Sequence, residues 1–532
     1  MSTTSGHQES GCHCRHNSEW LAHQMSTVHG IDDGLSYTAF LHRTALRIPD
    51  KVAVICGDRE LTYAQLFAVI DAYASALRSA HGITTGSRVA LLLDNSEQYQ
   101  AWYLAILSMG AVAVPLNTKL TAREIAFQVR DADARLAVSE PKFGEALSQV
   151  GVRWFDAGSV PVAKTAASPS SLPKVPHGAP AAIYYTSGTT GNPKGVVQTH
   201  RSLIASTFQA AVAWEYNEPS AVTLAMTPLF HIANHAWFLP ILSVGGTMVI
   251  DTFRTEPILE LIVRRRITHL FAVPTMLLLM SHKHREMKQD LSHVKTVSFG
   301  AAAMPPEKLS EVKQMVPNAG LVHGMGQTES CGTIVTLPSN FAFEKAGSVG
   351  INIDGADVRV VDASDQDVAP GVVGELVTRG ANVMREYLGH ADATSRALAG
   401  GWLHTGDLGY LDEDGFLFLV DRKKDMIIRG GENIYSSEVE NVLYMHSDVA
   451  SVSVVGVKSE LFGEEVVAFI VMRDPTKVSA EVLREHCALN LAAFKVPSQF
   501  VFLDAMPQTA TGKIQKHELR ATLAASLAEN SR

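Results

Sequence analysis

The segment from Tyr185 to Gly195 reads YTSGTTGNPKG and combines glycines, small hydroxyl residues and one lysine. Glycines and small residues let several backbone N–H groups point at one anion, and a lysine adds a mobile positive charge. The segment directly follows the short apolar stretch 181–185, which reads as a β-strand. A flexible linker is the alternative, but linkers seldom follow a strand with proline and lysine at ordered places. We therefore predict a loop that binds phosphate.

This loop differs from the Walker A loop of many nucleotide-binding proteins. A Walker A sequence requires GxxxxGK followed by serine or threonine. Here Gly191 is followed by Asn192 and Pro193, and Lys194 is followed by Gly195. The sequence therefore predicts a phosphate loop of another class.

Length and composition limit the fold and the partners. At 532 residues the chain is much longer than one typical domain, so we expect two or more domains. The 45 Lys and Arg against 54 Asp and Glu give a formal net charge of -9, which argues against nucleic-acid binding. Every apolar run falls short of the roughly 20 residues that span a bilayer, so we expect no stable membrane insertion.

The first 30 residues are polar, contain no apolar signal segment and predict a disordered tail. Their closely spaced Cys12, His13, Cys14 and His16 could bind a soft metal, but the spacing does not resemble a structural zinc site. Five scattered cysteines fit a reducing compartment, and we expect a cytoplasmic location.

Apolar strand-like segments alternate with helical patterns along most of the chain, as in KVAVIC and the helix expected to begin near Thr62. This alternation predicts an α/β fold with layered, largely parallel sheets. A break in composition near Asp421 predicts a large N-terminal domain over 31–423, built from α/β subdomains. A small C-terminal α+β domain is predicted over 424–532.

The loop TSGTTGNPKG resembles the phosphate-loop signature of the acyl-adenylate-forming superfamily, which includes acyl- and aryl-CoA ligases, luciferases and the adenylation domains of peptide synthetases. Further segments similar to family motifs follow in order, among them HGMGQTES, GWLHTGD, DRKKD, RGGENI and PQTATGKIQK. Their co-occurrence is more specific than any single motif. The resemblance implies a mobile C-terminal domain and the use of ATP, Mg²⁺ and coenzyme A.

The resemblance assigns the nucleotide contacts. Thr328 would hydrogen-bond the α-phosphate, and Glu329 would hold Mg²⁺, which prefers oxygen ligands. Asp407 would accept the ribose hydroxyls, and Arg422 would supply a second ribose contact. Met325 stands where the family usually has an aromatic residue against adenine, and a thioether can also cover the ring face. The other predicted nucleotide contacts are Thr186, Ser187, Gly188, Thr189, Thr190, Gly191, Lys194 and Ala301.

Residues after the predicted domain boundary match the family's moving parts. Lys424 resembles the hinge of the small domain, and Lys513 matches the catalytic lysine of adenylation. Gly430 and Gly431 would line the channel for the pantetheine arm of coenzyme A. Ser436 stands where the pattern usually has proline, and we expect only a local effect.

Three residues are predicted to line the acyl pocket: His231, Ala302 and Gly326. Amino-acid-activating relatives carry aspartate where this chain has His231, so an α-amino acid is disfavoured. No cationic partner for a second carboxylate is evident nearby, which favours a monocarboxylic acid, either fatty or aryl. Five further residues could line this pocket or could equally be ordinary residues of the hydrophobic core: His235, Trp237, Val273, Thr275 and His323.

The leading prediction is an AMP-forming carboxylic acid–CoA ligase. Such an enzyme activates an acid with ATP to acyl-AMP and pyrophosphate, and then transfers the acyl group to coenzyme A. The alternatives are transfer to the phosphopantetheine of a carrier protein, transfer to oxygen as in luciferases, and nucleotide sensing without turnover. Sensing alone is disfavoured because Glu329, Asp407, Arg422 and Lys513 are all present. The resemblance is also compatible with a homodimer.

Overall fold

A computed structural model describes residues 36–160, 174–186, 193–300, 304, 306–459, 461–474, 478–508 and 514–530. The predicted disordered tail over 1–30 lies outside these residues. The described chain forms a large N-terminal α/β domain followed by a small C-terminal domain, which confirms the predicted fold class. The boundary at 423/424 and the mobility of the small domain stay predictions. Among the described helices, none is both long enough and apolar enough to cross a membrane.

Helices are numbered here in chain order. They are α1 Tyr37–Arg47, α2 Tyr63–His81, α3 Glu97–Ser108, α4 Ala122–Asp131, α5 Gly144–Gln149, α6 His200–Ala213, α7 Pro240–Ser243, α8 Thr255–Arg264, α9 Pro274–Met287, α10 Pro306–Met315, α11 Ala391–Ala397, α12 Ser436–Tyr444, α13 Ala480–Asn490 and α14 Lys516–Asn530.

Strands are numbered in the same way. The first fifteen are β1 Val52–Cys56, β2 Arg59–Thr62, β3 Arg88–Leu92, β4 Val112–Pro115, β5 Leu136–Ser139, β6 Trp154–Asp156, β7 Pro180–Thr186, β8 Lys194–Thr199, β9 Val222–Ala225, β10 Thr247–Ile250, β11 His269–Ala272, β12 Thr296–Gly300, β13 Gly320–Gln327, β14 Gly332–Leu337 and β15 Ile351–Asn352. The others are β16 Ala356–Val361, β17 Gly374–Gly380, β18 Glu386–Tyr387, β19 Leu403–Leu411, β20 Leu417–Arg422, β21 Ile427–Arg429, β22 Glu432–Ile434, β23 Val449–Ser459, β24 Gly463–Met472 and β25 Gln499–Phe502.

Two large sheets form the body of the N-terminal domain. The nine-stranded sheet has the order β15-β14-β13-β12-β11-β9-β10-β1-β2, and the seven-stranded sheet has the order β18-β8-β7-β4-β3-β5-β6. Their central strands are parallel, while β2, β14, β15, β8 and β18 add antiparallel edges. The prediction of largely parallel sheets is therefore confirmed for the centres of these two sheets.

The two smaller sheets lie later in the chain. A four-stranded antiparallel sheet, in the order β16-β17-β19-β20, precedes the predicted boundary. The five strands of the C-terminal sheet are β21 to β25, and only the β24–β25 pair is parallel. Strand β20 therefore ends the last sheet of the large domain, immediately before the first strand of the small one.

One apolar core contains buried residues from both large sheets and from α1, α2, α3 and α6. Helix α3 is buried over almost its whole length, which explains why its sequence shows no clear polar face. The rings of Tyr73 on α2 and Trp102 on α3 stack with centroids 3.8 Å apart. Such stacking adds stability beyond the apolar area that it buries.

Local sequence signals explain where several helices begin. Helix α2 begins at Tyr63, which confirms the predicted helix start near Thr62, and Thr62 caps it: its hydroxyl accepts the N–H of Gln65, and the Gln65 side chain accepts the N–H of Thr62 at 2.9 Å. Thr121 and Glu124 form the same reciprocal arrangement at the start of α4. Each box satisfies two backbone donors that the first helical turn leaves without partners.

Gly326 lies at a bulge where β13 and β14 approach each other closely. A β-carbon at this position would lie 1.8 Å from the carbonyl oxygen of Gly332. Because the obstructing atom belongs to the backbone of the paired strand, a larger residue requires the ladder to shift. Strand packing therefore accounts for this glycine, and its role in the acyl pocket stays a prediction.

Gly326→Ala is expected to lower the free energy of unfolding by about 1–3 kcal/mol through overpacking. The midpoint of urea unfolding measures the effect. Gly178→Ala is the matched control, because a β-carbon there would meet no atom within 4 Å. Equal midpoints for the two variants would contradict the close approach of β13 and β14.

Candidate active site

The predicted phosphate loop joins two antiparallel strands. Strand β7 ends at Thr186, strand β8 begins at Lys194, and these two residues are paired in the ladder. The strands themselves are buried, so the core fixes both ends of the loop. The loop residues Ser187, Gly188, Thr189, Thr190 and Gly191 lie outside the described residues.

Lys194 and Glu329 meet at the same tyrosine. Strand β18 pairs with β8 and places Tyr387 opposite Val196. The Tyr387 hydroxyl donates a hydrogen bond to Oε1 of Glu329 at 2.9 Å, and Nζ of Lys194 lies 5.2 Å from the centre of the Tyr387 ring. This second distance lies within the range of a cation–π contact. One side chain thus links the predicted phosphate lysine to the predicted Mg²⁺ ligand.

The Tyr387 hydroxyl is held in its protonated, donating form. Burial raises its pKa well above the ordinary value, and the neighbouring Glu329 carboxylate raises it further. The Tyr387 N–H also donates to the Thr394 hydroxyl at 3.0 Å. Sequence reasoning did not single out Tyr387, because nothing in the local sequence shows that β18 pairs with a strand almost two hundred residues earlier.

Thr328 and Glu329 lie on a single 3₁₀ turn, Thr328–Ser330, that follows β13. The carbonyl oxygen of Thr328 accepts a hydrogen bond from Nε2 of the buried Gln198 at 2.6 Å. The carbonyl oxygen of Glu329 accepts the N–H of Met384 at 2.7 Å. Because β8 and the segment before β18 both hold this turn, the Glu329 carboxylate has a fixed position beside the Tyr387 hydroxyl. A single fixed carboxylate suits Mg²⁺, which commonly takes its remaining ligands from phosphate and water.

The predicted adenine contact Met325 is only 7% exposed and packs within the main core. It is paired with Val335 on β14. Stacking of its thioether on adenine stays a prediction. Ala301 and Ala302 lie outside the described residues.

The predicted ribose contacts form a cross-strand ion pair. Asp407 on β19 is paired with Arg422 on β20, and Oδ1 of Asp407 lies 3.0 Å from Nε of Arg422. The aspartate is nearly buried, whereas half of the arginine side chain is exposed. The sheet therefore orients a carboxylate and a guanidinium side by side at its edge, where hydroxyl groups can be recognised.

A second acidic group stabilises the part of β19 before Asp407, where the register with β17 shifts. Glu375 accepts the N–H of Gly406 at 3.2 Å, and it also contacts Lys423 at 2.9 Å and His404 at 3.3 Å. Burial acts to raise the pKa of Glu375, but Lys423 and His404 outweigh this effect and lower it. The ionised Glu375 therefore helps to position the part of β19 that carries Asp407.

Gly430 and Gly431 form the two-residue turn of the β21–β22 hairpin. Their φ angles are +60° and +90°, which side chains with a β-carbon rarely adopt. The Gly430 N–H donates to the carbonyl oxygen of Phe462 at 2.8 Å. Turn geometry thus accounts for both glycines, and the pantetheine channel stays a prediction. Lys424 is exposed between β20 and β21.

The predicted pocket residue His231 is partly exposed and lies just before a π-helical turn, Asn234–Phe238. Its Nδ1 accepts the N–H of Ala233 at 3.2 Å. Trp237, on the same turn, is buried and stacks on Phe271 with centroids 3.9 Å apart. The hydrogen bond to Ala233 restrains the His231 ring, and the stacking of Trp237 on Phe271 anchors the π-helical turn that follows it.

The other two histidines near the predicted pocket belong to the core. His235 contacts the carbonyl oxygen of Leu203 at 3.1 Å, and burial lowers its pKa to about 3. His323 stacks on Phe299 at 4.7 Å, and burial lowers its pKa to about 4. Both are therefore neutral at physiological pH. Val273 directly precedes α9, and Thr275 is exposed in its first turn.

Lys513 lies outside the described residues. The segment that carries it is closed at its base, since Gln508 pairs with Ile514 and the Gln515 N–H donates to the carbonyl oxygen of Pro507 at 2.9 Å. The structure thus brings together Lys194, Glu329 and Thr328 and separately pairs Asp407 with Arg422.

Comparison with known proteins agrees with this arrangement. The sequence model described as AMP-binding enzyme matches residues 41–388, and the model of the AMP-binding enzyme C-terminal domain matches residues 438–513. The chain is 35% identical over 485 residues to a feruloyl-CoA synthase of Amycolatopsis sp, covering 90% of this chain and 97% of that protein. It is 34% identical over 488 residues to the 2-succinylbenzoate–CoA ligase of Bacillus licheniformis, covering 91% and 100% of the two chains.

A solved structure is similar over the same length. The o-succinylbenzoate coenzyme A synthetase of Bacillus subtilis, in complex with ATP and magnesium ion, superimposes with a TM-score of 0.82 at 33% identity. The match covers 90% of this chain and 98% of that one. The protein therefore belongs to the AMP-binding enzyme family.

Proposed function

We propose that the protein is an AMP-forming ligase that joins a monocarboxylic acid to coenzyme A in two steps. The observation that carries this proposal is the contact chain from Lys194 through Tyr387 to Glu329 at the base of the phosphate loop. The two side chains contact the same tyrosine, and we propose that they supply the cation and the Mg²⁺ ligand for transfer of an adenylyl group from ATP. The family and the names of the relatives support the same reaction class.

The first step activates the acid. A carboxylate oxygen attacks the α-phosphorus of ATP, the bond to the β-phosphate breaks, and pyrophosphate leaves with the electron pair. Every reacting group is anionic, and two unit charges 4 Å apart repel by about 4 kcal/mol at an effective dielectric constant of 20. Lys513, Lys194 and the loop N–H groups would offset this repulsion by position and charge. Bound at Glu329, Mg²⁺ would neutralise phosphate charge.

The second step uses the thiol of coenzyme A. The sulfur attacks the acyl carbon, AMP leaves, and the thiol proton is released. We propose that the small domain turns about Lys424 between the steps, which withdraws Lys513 and brings the Gly430–Gly431 turn to the site. A thioester cannot form directly from the carboxylate, because an oxide ion is a poor leaving group and AMP is a good one.

The acid is proposed to be a fatty or aryl monocarboxylic acid. The names of both relatives described above refer to acids that contain an aromatic ring, so monocarboxylic acids with an aromatic ring are the first to test. We further propose that the protein acts in the cytoplasm, and that it forms a homodimer. Incubation with coenzyme A alone as acceptor separates the main proposal from transfer to a carrier protein: acyl-CoA and AMP support it, and pyrophosphate without acyl-CoA contradicts it.

Lys513→Ala is expected to slow acyl-AMP formation by at least about 100-fold, as loss of one transition-state contact does in other enzymes. Thioester formation from supplied acyl-AMP should be unchanged, since Lys513 is proposed to act only in the first step. Pyrophosphate release and acyl-CoA production measure the two steps separately. Lys458→Ala, which alters an exposed lysine of the small domain, is the control. Equal loss of both steps in Lys513→Ala would contradict the two-state mechanism.

Tyr387→Phe is expected to raise the concentration of Mg²⁺ or ATP needed for half-maximal pyrophosphate release by about 10-fold. The variant keeps the ring under Lys194 but removes the hydrogen bond to the charged Glu329, and such bonds contribute about 1.5–3 kcal/mol. Titration of Mg²⁺ at fixed ATP measures the change. Tyr410→Phe, on a tyrosine that stacks on Phe418 of β20, is the matched control. If both variants need the same Mg²⁺ concentration, Tyr387 does not position the metal ligand.

A further inference from the structure

The first helix of the small domain is capped by a residue of the large domain. Helix α12 begins at Ser436, and the preceding Tyr435 offers no side-chain cap. Instead, Asp421 on β20 accepts the Ser436 N–H at Oδ2 and the Ser436 hydroxyl at Oδ1, the latter at 3.2 Å. The Ser437 hydroxyl also donates to the carbonyl oxygen of Val420. A carboxylate at this position satisfies an N-terminal N–H and interacts favourably with the helix dipole.

The same serine contacts the last helix of the chain. Nζ of Lys516, the first residue of α14, donates to the Ser436 hydroxyl oxygen at 2.7 Å and pairs with Glu440 on α12 at 2.9 Å. Ser436 is completely buried by these neighbours. Its hydroxyl therefore lies between an anion of the large domain and a cation of the small domain.

Position along the chain makes this contact relevant to the reaction. Asp421 precedes the predicted hinge Lys424 by three residues, and Lys516 follows the predicted catalytic Lys513 by three. The segment 509–513 is closed at its base by the pairing of Gln508 with Ile514, immediately before Lys516. The contact thus connects Asp421, before the predicted hinge, with Ser436 and Lys516, after it. Lys516 lies two residues after Ile514, which is the first described residue after Lys513.

We propose that Ser436 is a positioning residue that, with Asp421 and Lys516, forms an interdomain clasp. The clasp holds one orientation of the small domain, and it opens when the domain turns between the adenylation and thioester steps. This inference rests on the proposed two-step function. The described side-chain hydrogen bonds of Ser436 are to Asp421 and Lys516, so we assign it a role in the orientation of the domain.

A proline at position 436 could not make this clasp. Proline has neither a backbone N–H for Asp421 nor a hydroxyl to lie between Asp421 and Lys516. The proposed clasp goes beyond the local effect expected for Ser436, because its contacts reach Asp421 on β20 and Lys516 on α14. We therefore assign a role in domain orientation to the serine that this chain has at position 436 in place of the usual proline.

The first test is Ser436→Pro, which the local backbone accommodates. Proline is favoured at the first position of a helix, and Tyr435 has φ -85° and ψ 120°, which is compatible with a following proline. We expect the ratio of the two half-reaction rates to change by at least about fivefold, since the three hydrogen bonds of Ser436 are lost. Ser436→Ala should change this rate ratio less, because it keeps the backbone N–H that bonds to Asp421. Ser447→Ala on the same domain is the control. An unchanged rate ratio in Ser436→Pro would overturn the clasp.

The second test traps the contact with a disulfide between Asp421→Cys and Ser436→Cys. The oxidised double variant is expected to perform one half-reaction at least about tenfold more slowly than the reduced form, and reduction should restore it. The two single-cysteine variants, treated with the same oxidant, control for the native cysteines. If the oxidised protein performs both half-reactions at the rates of the reduced form, the clasp does not need to open and the inference fails.

A third measurement does not depend on turnover. It can therefore test the clasp even if the proposed ligase function is wrong. Small-angle X-ray scattering without substrates should give a larger radius of gyration for Ser436→Pro than for the wild type and Ser447→Ala. Identical profiles would overturn the clasp, even if no acid supports catalysis. A changed profile in a protein that releases no pyrophosphate with any acid would support the clasp and contradict the ligase.

Discussion

Repulsion among like charges is the constraint on which the proposed site depends. An acid carboxylate must approach a triphosphate, and water can screen their charges only until the reactants are enclosed. Once water is excluded, cations and N–H dipoles must already be in place around the reactants. Reorganising these groups during the reaction would raise the activation barrier. The pairing of β7 with β8 fixes Lys194, and the turn after β13 fixes Glu329. Tyr387 connects the two, so the charged groups are arranged before any substrate arrives.

The architecture explains how distant parts of the chain supply these groups. Lys194 belongs to one large sheet and Glu329 follows the edge region of the other, and the shared apolar core holds the two sheets together. A side chain of Gln198 then spans from β8 to the backbone of Thr328 at 2.6 Å. The geometry of the site is therefore a property of how the sheets are packed, and local mutations in the core between them can alter it without touching a predicted contact.

The sequence alone was sufficient to predict features that depend on neighbouring residues in the chain. The strand before the predicted phosphate loop, the start of α2 near Thr62 and the alternation of α and β segments could all be found in this way. Tyr387 and Asp421 could not, because their roles come from pairing with β8 and with the start of α12. Nor could the sequence distinguish core from pocket at His235 and His323. Only burial, which lowers the pKa of each well below 6.5, assigns both to the core.

The proposed clasp has an energy that suits a moving domain. A helix-capping side chain contributes about 0.5–2 kcal/mol, and a further hydrogen bond contributes about 0.5–1.5 kcal/mol. Their sum corresponds to a preference of roughly 5- to 300-fold for one orientation, at 1.4 kcal/mol per factor of ten. Such a preference sets which orientation is populated, while binding of a substrate that favours the other orientation can still reverse it. A much larger interface would hold the domain in one step of the reaction, whereas loss of the Ser436 contacts would weaken the preference for one orientation.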